Sequence, residues 1–262
     1  MSSDTQWKAG GISVAGFSHI EDDFPCQDAN AYKVRDDGWL VAAVSDGAGS
    51  AKYSHIGANA YVSAVVDSFA KDPGLPDQSQ DGIVSNLKEV IDATTRNLVD
   101  NHTPEDEGEE VSHSDFAATI IVVICNENGG AFYHVGDGAG AVLELGNLDH
   151  VTVSKPQNGE YANETYFLTM ENWQDYLRIT PFEKPFDTVL LMSDGVTPMA
   201  MTKGCEAPFG SFVQPVINFL KSAEPEGGQQ ALENTLTREQ VRTVTGDDKT
   251  LFWATTQPVN EE

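Results

Sequence analysis

The chain has 262 residues, of which 40% are hydrophobic, an ordinary fraction that excludes disorder over most of its length. Its 41 Asp and Glu residues outnumber its 15 Lys and Arg residues and give a net charge of −26. Binding to a nucleic-acid backbone relies on the opposite charge, so we expect no nucleic-acid partner.

Short apolar or alternating runs predict seven strands along the chain. In chain order they cover residues 11–18, 39–45, 116–125, 131–135, 141–145, 187–193 and 250–254. Apolar residues recurring every three or four positions predict two helices after the second strand and two before the last. These positions are Ile56, Ala60, Val65, Val66 and Phe69; Val84, Leu87, Ile91, Leu98 and Val99; Val213, Val216, Ile217 and Leu220; and Ala231, Leu232, Thr235 and Leu236. The order lacks the regular alternation of a parallel sheet and favours a layered α+β fold.

Two segments lack a periodic pattern. The acidic run PEDEGEE at residues 104–110 predicts a solvated loop. Residues 154–186 contain several Pro and Gly turn signals around a short strand at 165–169, and they predict an irregular insertion near the functional site. We expect a single domain over residues 1–262 that contains this insertion.

The cysteines and the N-terminal segment indicate the compartment. Cys26, Cys125 and Cys205 are odd in number and far apart, which argues against a disulfide framework and a structural zinc site. The first residues lack the basic start and apolar stretch of a secretion signal, and no run of 18 apolar residues predicts a membrane span. We therefore expect a cytoplasmic protein with no membrane contact.

Aspartates lie at or between the ends of the predicted strands. They are Asp28, Asp46, Asp115, Asp194 and the pair Asp247-Asp248. If neighbouring strands present these ends on one rim, the carboxylates converge, and Mg²⁺ and Mn²⁺ prefer such oxygen ligands. Asp46-Gly47 and Asp194-Gly195 are each also a common turn signal, so only their joint placement indicates a metal site.

A competing motif is Gly136–Ala141, which fits the loose dinucleotide-binding fingerprint after a strand. Residues 141–145 alternate like a strand and offer no helix N-terminus for a pyrophosphate. No Cys-x5-Arg phosphate loop is present either, so a covalent cysteine mechanism is not indicated.

Six segments resemble, in family order, the motifs of the PP2C-type metal-dependent protein phosphatases, in particular the small bacterial members. They are GFSHIEDDFPCQDAN, LVAAVSDGAGSAKYSHIGA, SDFAATIIVV, YHVGDGAGAVLEL, VLLMSDGVTP and TGDDKTLFWAT. The resemblance runs from Gly16 to about Ala254. It implies a four-layer αββα sandwich of two antiparallel sheets flanked by helices. It also implies an Mg²⁺- or Mn²⁺-dependent hydrolase that dephosphorylates phosphoserine and phosphothreonine by attack of a metal-bridging water.

The resemblance also implies a set of metal ligands. Asp46 would bridge two cations, and the other implied ligands are the Gly47 carbonyl, Asp194, Asp247, Asp28 through bound waters, and Asp115 at a third, weaker ion. Asp248 stands where the family usually has an amide and would support the ligands from behind. Asp137 would be structural.

The sequence departs from the family at three positions. Gln27 replaces the Glu of an early Glu-Asp pair, and Ala48 replaces a histidine common in eukaryotic members. The family's phosphate-binding arginine is missing, and its place falls near Asp22 and Asp23. Other residues must then supply these functions. On chemical grounds His19 could protonate the leaving alkoxide, and Lys52 could hold a phosphate oxygen.

These departures leave two functions open. The first is the phosphatase, acting on phosphoproteins as a monomer, with a cognate kinase as a further partner. The second is a catalytically impaired module of the same fold that binds phosphopeptides or has a regulatory role.

Overall fold

A computed structural model describes residues 5–104, 110–158 and 165–258 of the protein. Most of the predicted acidic loop and part of the predicted insertion therefore lie outside the described residues. The strands are β1 (Thr5–Val14), β2 (Ala29–Val34), β3 (Leu40–Ser45), β4 (Ile120–Asn126), β5 (Gly129–Val135), β6 (Ala139–Glu144), β7 (Asn147–Ser154), β8 (Arg178–Glu183), β9 (Thr188–Met192) and β10 (Lys249–Pro258). The helices are α1 (Phe17–Glu21), α2 (Ser54–Lys71), α3 (Gln80–Asn101), α4 (Thr197–Ala200), α5 (Gly210–Ser222), α6 (Pro225–Leu236) and α7 (Glu239–Arg242). None of these helices is both long and apolar enough to cross a bilayer.

The strands form two five-stranded sheets. The first has the order β1-β10-β9-β6-β7 and the second the order β2-β3-β4-β5-β8. Neighbouring strands are antiparallel throughout. The predicted α+β sandwich of two antiparallel sheets flanked by helices is confirmed.

The central strands are buried on both faces, which explains their continuous apolar runs. In β3, Val41 and Ala43 pack into the core that includes α2 and α3, whereas Leu40, Ala42 and Val44 pack between the two sheets. The other sheet has the same alternation. Leu190 and Met192 of β9 face the core with α5 and α6, and Val189 and Leu191 face the opposing sheet. The two sheets and the helices packed on their outer faces thus form four layers. Burial of each large apolar side chain stabilises the fold by about 1.5–3 kcal/mol.

The elements differ from the predicted ones mainly at the margins of the sheets. The first strand ends at Val14, and residues 17–18 belong to α1. The strand predicted over 116–125 begins at Ile120, because residues 113–116 form a 3₁₀ turn. Strands β2, β7 and β8 were not predicted. The strand expected at 165–169 does not form, since Thr165 makes only an isolated bridge to Asn158.

Turns that follow or precede strands of both sheets lie at one end of the sandwich. There β3, β5 and β9 end, and β4, β6 and β10 begin. Aspartates that follow or precede these strands are thereby brought to a common rim.

Candidate metal centre

A cavity of about 180 Å³ lies at this rim. Its titratable lining residues are His19, Asp46, Asp137, Asp194, Asp247 and Asp248. A larger groove of about 1020 Å³ lies between α5, α6 and α7, but Arg238 is the only charged residue among the described residues that line it. The smaller cavity is therefore the candidate site, because it alone of the two concentrates groups that bind metals or move protons.

Three carboxylates form the centre of this cavity. One oxygen from each of Asp46, Asp137 and Asp194 lies within 4.8 Å of the other two. These residues follow β3, β5 and β9, so they come from both sheets and from positions up to 148 residues apart (194 − 46). We call them the aspartate triad.

Asp46 is held by reciprocal bonds between the ends of β3 and β4. Its N–H donates to Thr119 Oγ1 at 3.1 Å, and the Thr119 N–H donates to the Asp46 carbonyl at 2.8 Å. At Gly47 a Cβ atom would lie 2.7 Å from the Gln27 carbonyl oxygen, so the chain can turn into the cavity only with glycine there.

Asp137 belongs to the triad although the sequence analysis assigned it a structural role. The preceding Gly136 has φ of 118°, and its carbonyl accepts bonds from the Gln157 N–H and from Arg178 Nη2. The Thr165 hydroxyl donates to Asp137 Oδ2. A sequence signal was present, because Asp137-Gly138 follows a strand as Asp46-Gly47 and Asp194-Gly195 do.

Asp194 and the start of β10 are packed tightly together. A Cβ atom on Gly195 would lie 1.9 Å from the Asp248 carbonyl oxygen, so glycine allows the end of β9 to contact the turn that carries Asp247 and Asp248. The exposed Asp247 lines the cavity beside the triad. Burial raises the pKa of Asp194 to about 6, with further contributions from the charges of Asp137 and Asp247.

Asp28 lies behind the cavity and is 4% exposed. Among the described residues, neither of its carboxylate oxygens has a hydrogen bond of normal geometry. Burial raises its pKa to about 8; the nearby Ser193 hydroxyl acts to lower it, and the charges of Asp248 and Asp194 act to raise it. Burial and the charges of Asp28, Asp194 and Asp137 likewise raise the pKa of Asp46 well above its ordinary value.

This donor set fits hard divalent cations. The converging atoms are carboxylate oxygens, and no described residue donates to the buried Oδ1 of Asp194 either. Anionic oxygens grouped in this way are stabilised by Mg²⁺ or Mn²⁺. The same cations would relieve the mutual repulsion that adds to the effect of burial on these pKa values.

Two predicted site residues lie elsewhere. The Asp115 carboxylate accepts bonds from the Ser112 N–H and hydroxyl, which caps the 3₁₀ turn at 113–116. The Lys52 ammonium lies 5.2 Å from the centroid of the Tyr53 ring. Neither residue is among those that line the cavity, so a third-ion role for Asp115 and a phosphate role for Lys52 stay predictions.

His19 lies in the cavity wall, and a buried carboxylate holds it there. Its Nδ1 is 2.8 Å from Asp248 Oδ1, and the two side chains are 20% and 3% exposed. Gln27, which replaces the family glutamate, also lines the cavity, and its amide cannot act as a base.

Comparisons with known proteins agree with this geometry. The family model described as Protein phosphatase 2C matches residues 15–237. The chain is 29% identical to serine/threonine-protein phosphatase 3 of Escherichia coli (strain K12) over 266 aligned residues, which cover 95% of this chain and 99% of that protein. The catalytic domain of serine threonine protein phosphatase PstP in complex with 2 manganese ions has a TM-score of 0.61 at 15% identity, covering 96% of this chain and 99% of that one. Serine/threonine phosphatase Stp1 from Staphylococcus aureus has a TM-score of 0.59 at 15% identity, covering 95% of each chain. At these identities the two structures establish the fold.

Proposed function

The chain belongs to the protein phosphatase 2C family, and we propose that it hydrolyses phosphoserine and phosphothreonine in protein substrates with the help of bound divalent cations. The convergence of the aspartate triad in one cavity with Asp247 is the observation that carries this proposal. The sequence similarity to the E. coli serine/threonine-protein phosphatase supports the substrate class.

The proposed cations are Mg²⁺ or Mn²⁺. Asp46, Asp137, Asp194 and Asp247 would hold them through carboxylate oxygens, with the Gly47 carbonyl as a further ligand. When bound, such cations activate water for attack on phosphorus and offset negative charge on the transferring phosphoryl group. PstP was solved with two manganese ions, and we propose the same number here.

The remaining chemistry falls to side chains in the cavity wall. Departure of an alkoxide requires a proton, and His19 is positioned to supply it. The P–O bond to the leaving oxygen breaks while the imidazolium Nε2–H proton passes to that oxygen. Ala48, at the position of the family histidine, has no proton to give.

Activity measurements on the purified chain test this proposal. After chelation and readdition of Mn²⁺, we expect turnover of p-nitrophenyl phosphate and of a phosphothreonine peptide that depends on the metal. Asp46→Asn and Asp194→Asn should each lower kcat at least about 10²-fold, because each removes a charge that the cations require. The matched control is Asp149→Asn, which changes an exposed aspartate of β7 and should retain the full rate.

The result that would overturn the proposal is a folded wild-type chain with no Mn²⁺-dependent turnover. Tight binding of the phosphopeptide by that inactive chain would instead establish the alternative function, a binding or regulatory module.

A further inference from the structure

The pair formed by His19 and Asp248 is built more rigidly than an ordinary surface ion pair. Besides His19, the Asp248 carboxylate accepts the backbone N–H of Gly16 at 2.6 Å and that of Gln27 at 2.5 Å. The short helix α1 is tied to the same turn, since the Ser18 N–H donates to the Gly246 carbonyl. Three donors from two segments therefore fix a carboxylate that is almost fully buried.

This arrangement distinguishes the two ring nitrogens of His19. Nδ1 is engaged by Asp248, whereas Nε2 has no hydrogen-bond partner among the described residues. The ring lines the cavity that contains Asp46 and Asp194, so Nε2 is the nitrogen left for a ligand. A carboxylate bound at Nδ1 keeps a proton on that atom and fixes the orientation of the ring.

We propose that Asp248 is a positioning residue that acts through His19, fixing the ring so that its Nε2–H is presented to the leaving oxygen of the substrate. This inference rests on the proposed phosphatase function. As the P–O bond breaks, the Nε2 proton passes to the leaving oxygen, and the Nδ1 proton stays between His19 and Asp248. His19 is then reprotonated at Nε2 from solvent.

A purely structural role for Asp248 makes a different prediction. If Asp248 only tied Gly16 and Gln27 together, its replacement would disturb the whole site and slow every substrate. If it acts through His19, the loss depends on how much the leaving group needs a proton. A phenolate departs almost unaided, whereas the alkoxide of phosphothreonine does not.

A double-mutant cycle on two substrates separates these roles. We expect Asp248→Asn and His19→Ala each to lower kcat for a phosphothreonine peptide about 10²-fold, and kcat for p-nitrophenyl phosphate less than about threefold. In the His19→Ala background, Asp248→Asn should have no further effect. Equal losses on both substrates, or independent losses that multiply in the double variant, would overturn the proposal.

A matched control is available in a second histidine–carboxylate pair. His150 Nδ1 lies 3.0 Å from Glu144 Oε2, but the two side chains are 51% and 40% exposed, and neither residue lines the cavity. Glu144→Gln should leave both rates unchanged. If Glu144→Gln lowered kcat for the phosphothreonine peptide but not for p-nitrophenyl phosphate, the difference between the two substrates would not report on His19.

Histidine NMR of the metal-free chain tests the pair without any activity. With ¹⁵N-labelled histidine, neutral His19 should carry its proton on Nδ1 in the wild type and shift toward the Nε2–H tautomer in Asp248→Asn. Asp248→Ser, which keeps an acceptor for one backbone donor but does not reach His19, should give the same shift if the asparagine variant fails to fold. Unchanged signals for the other five histidines show that the fold is retained. An unaltered His19 tautomer would overturn the positioning role even in an active enzyme, and a chain without turnover would overturn only the proposed function.

Discussion

Aspartates in this protein have different roles because the surrounding backbone fixes where their oxygens lie. Asp137 follows a glycine with positive φ whose carbonyl is held by Arg178, and its carboxylate joins the aspartate triad. Asp115 lies in a 3₁₀ turn, and its carboxylate accepts bonds from Ser112 within the same turn. The donors around Asp115 satisfy its charge locally, whereas an oxygen of Asp137 lies within 4.8 Å of two other carboxylates, so a cation would stabilise it.

The contrast between these two aspartates can be measured as metal affinity. Asp137→Asn removes one of three converging charges, so we expect the Mn²⁺ affinity of the principal site to fall at least about tenfold. Asp115→Asn should leave that affinity unchanged and affect at most a weaker binding step, since its carboxylate caps the turn. Isothermal titration with Mn²⁺ checks both variants. Equal effects in the two would contradict the assignment of Asp137 to the centre.

At the scale of elements, helix α2 packs so closely on the segment after Asp115 that one helical position requires glycine. A Cβ atom on Gly57 would lie 2.2 Å from the Phe116 carbonyl oxygen. That segment leads directly into β4 and Thr119, which hold Asp46. The close packing of α2 on this segment thus helps to set the position of Asp46.

Glycine-to-alanine substitutions in two helices should therefore have opposite effects. Within an exposed helix, replacing glycine by alanine raises the free energy of unfolding by about 0.5–1 kcal/mol. Gly227 in α6 has no atom within 4 Å of the added Cβ, so Gly227→Ala should raise Tm. Gly57→Ala should lower Tm, because backbone atoms of α2 or of residue 116 must move apart. Thermal unfolding followed by circular dichroism compares the two, and a stabilised Gly57→Ala variant would refute the close packing.

The margins of the sheets also explain the unpredicted strands. β2, β7 and β8 are three of the four edge strands, and β1, the fourth, was predicted only in part. Edge strands keep one side toward solvent, so their sequences ANAYKV, NLDHVTVS and RITPFE mix polar and apolar residues, and β8 contains Pro181. Central strands carry a strong apolar signal because both of their faces are buried.

For the whole molecule, the buried carboxylates couple folding to pH. Asp28 and Asp194 have raised pKa values of about 8 and about 6, and the pKa of Asp46 is raised as well. Groups whose pKa is higher in the folded state than in the unfolded state bind extra protons on folding. Their contribution to the free energy of unfolding therefore falls as pH rises from about 4 to about 8. Burial lowers the pKa of His134, and this residue contributes in the opposite direction below its ordinary value of 6.5.

Between pH 6.5 and pH 8, the change in stability should therefore come from the aspartates and not from His134. We expect the Tm of the metal-free protein to fall across this window, and Mn²⁺ to raise Tm more at pH 8 than at pH 6.5, because bound cations compete with protons for the same oxygens. Asp46→Asn should flatten the metal-free profile. Thermal unfolding in chelator and in Mn²⁺ measures these slopes, and a metal-free Tm that rises over the window would contradict them.

The sequence by itself determined the fully buried strands, the four larger helices, the family and the acidic strand ends, because each depends on the pattern of residues that are close together in the chain. It could not determine which acidic strand ends meet. Asp137 lies in the triad and Asp115 outside it because of local turns and the packing of one sheet on the other, and His19 meets Asp248 across 229 residues of chain. Such distances depend on strand register and on the way two sheets close around a common rim. Only the tertiary structure sets these, since they result from contacts between segments with no sequence periodicity in common.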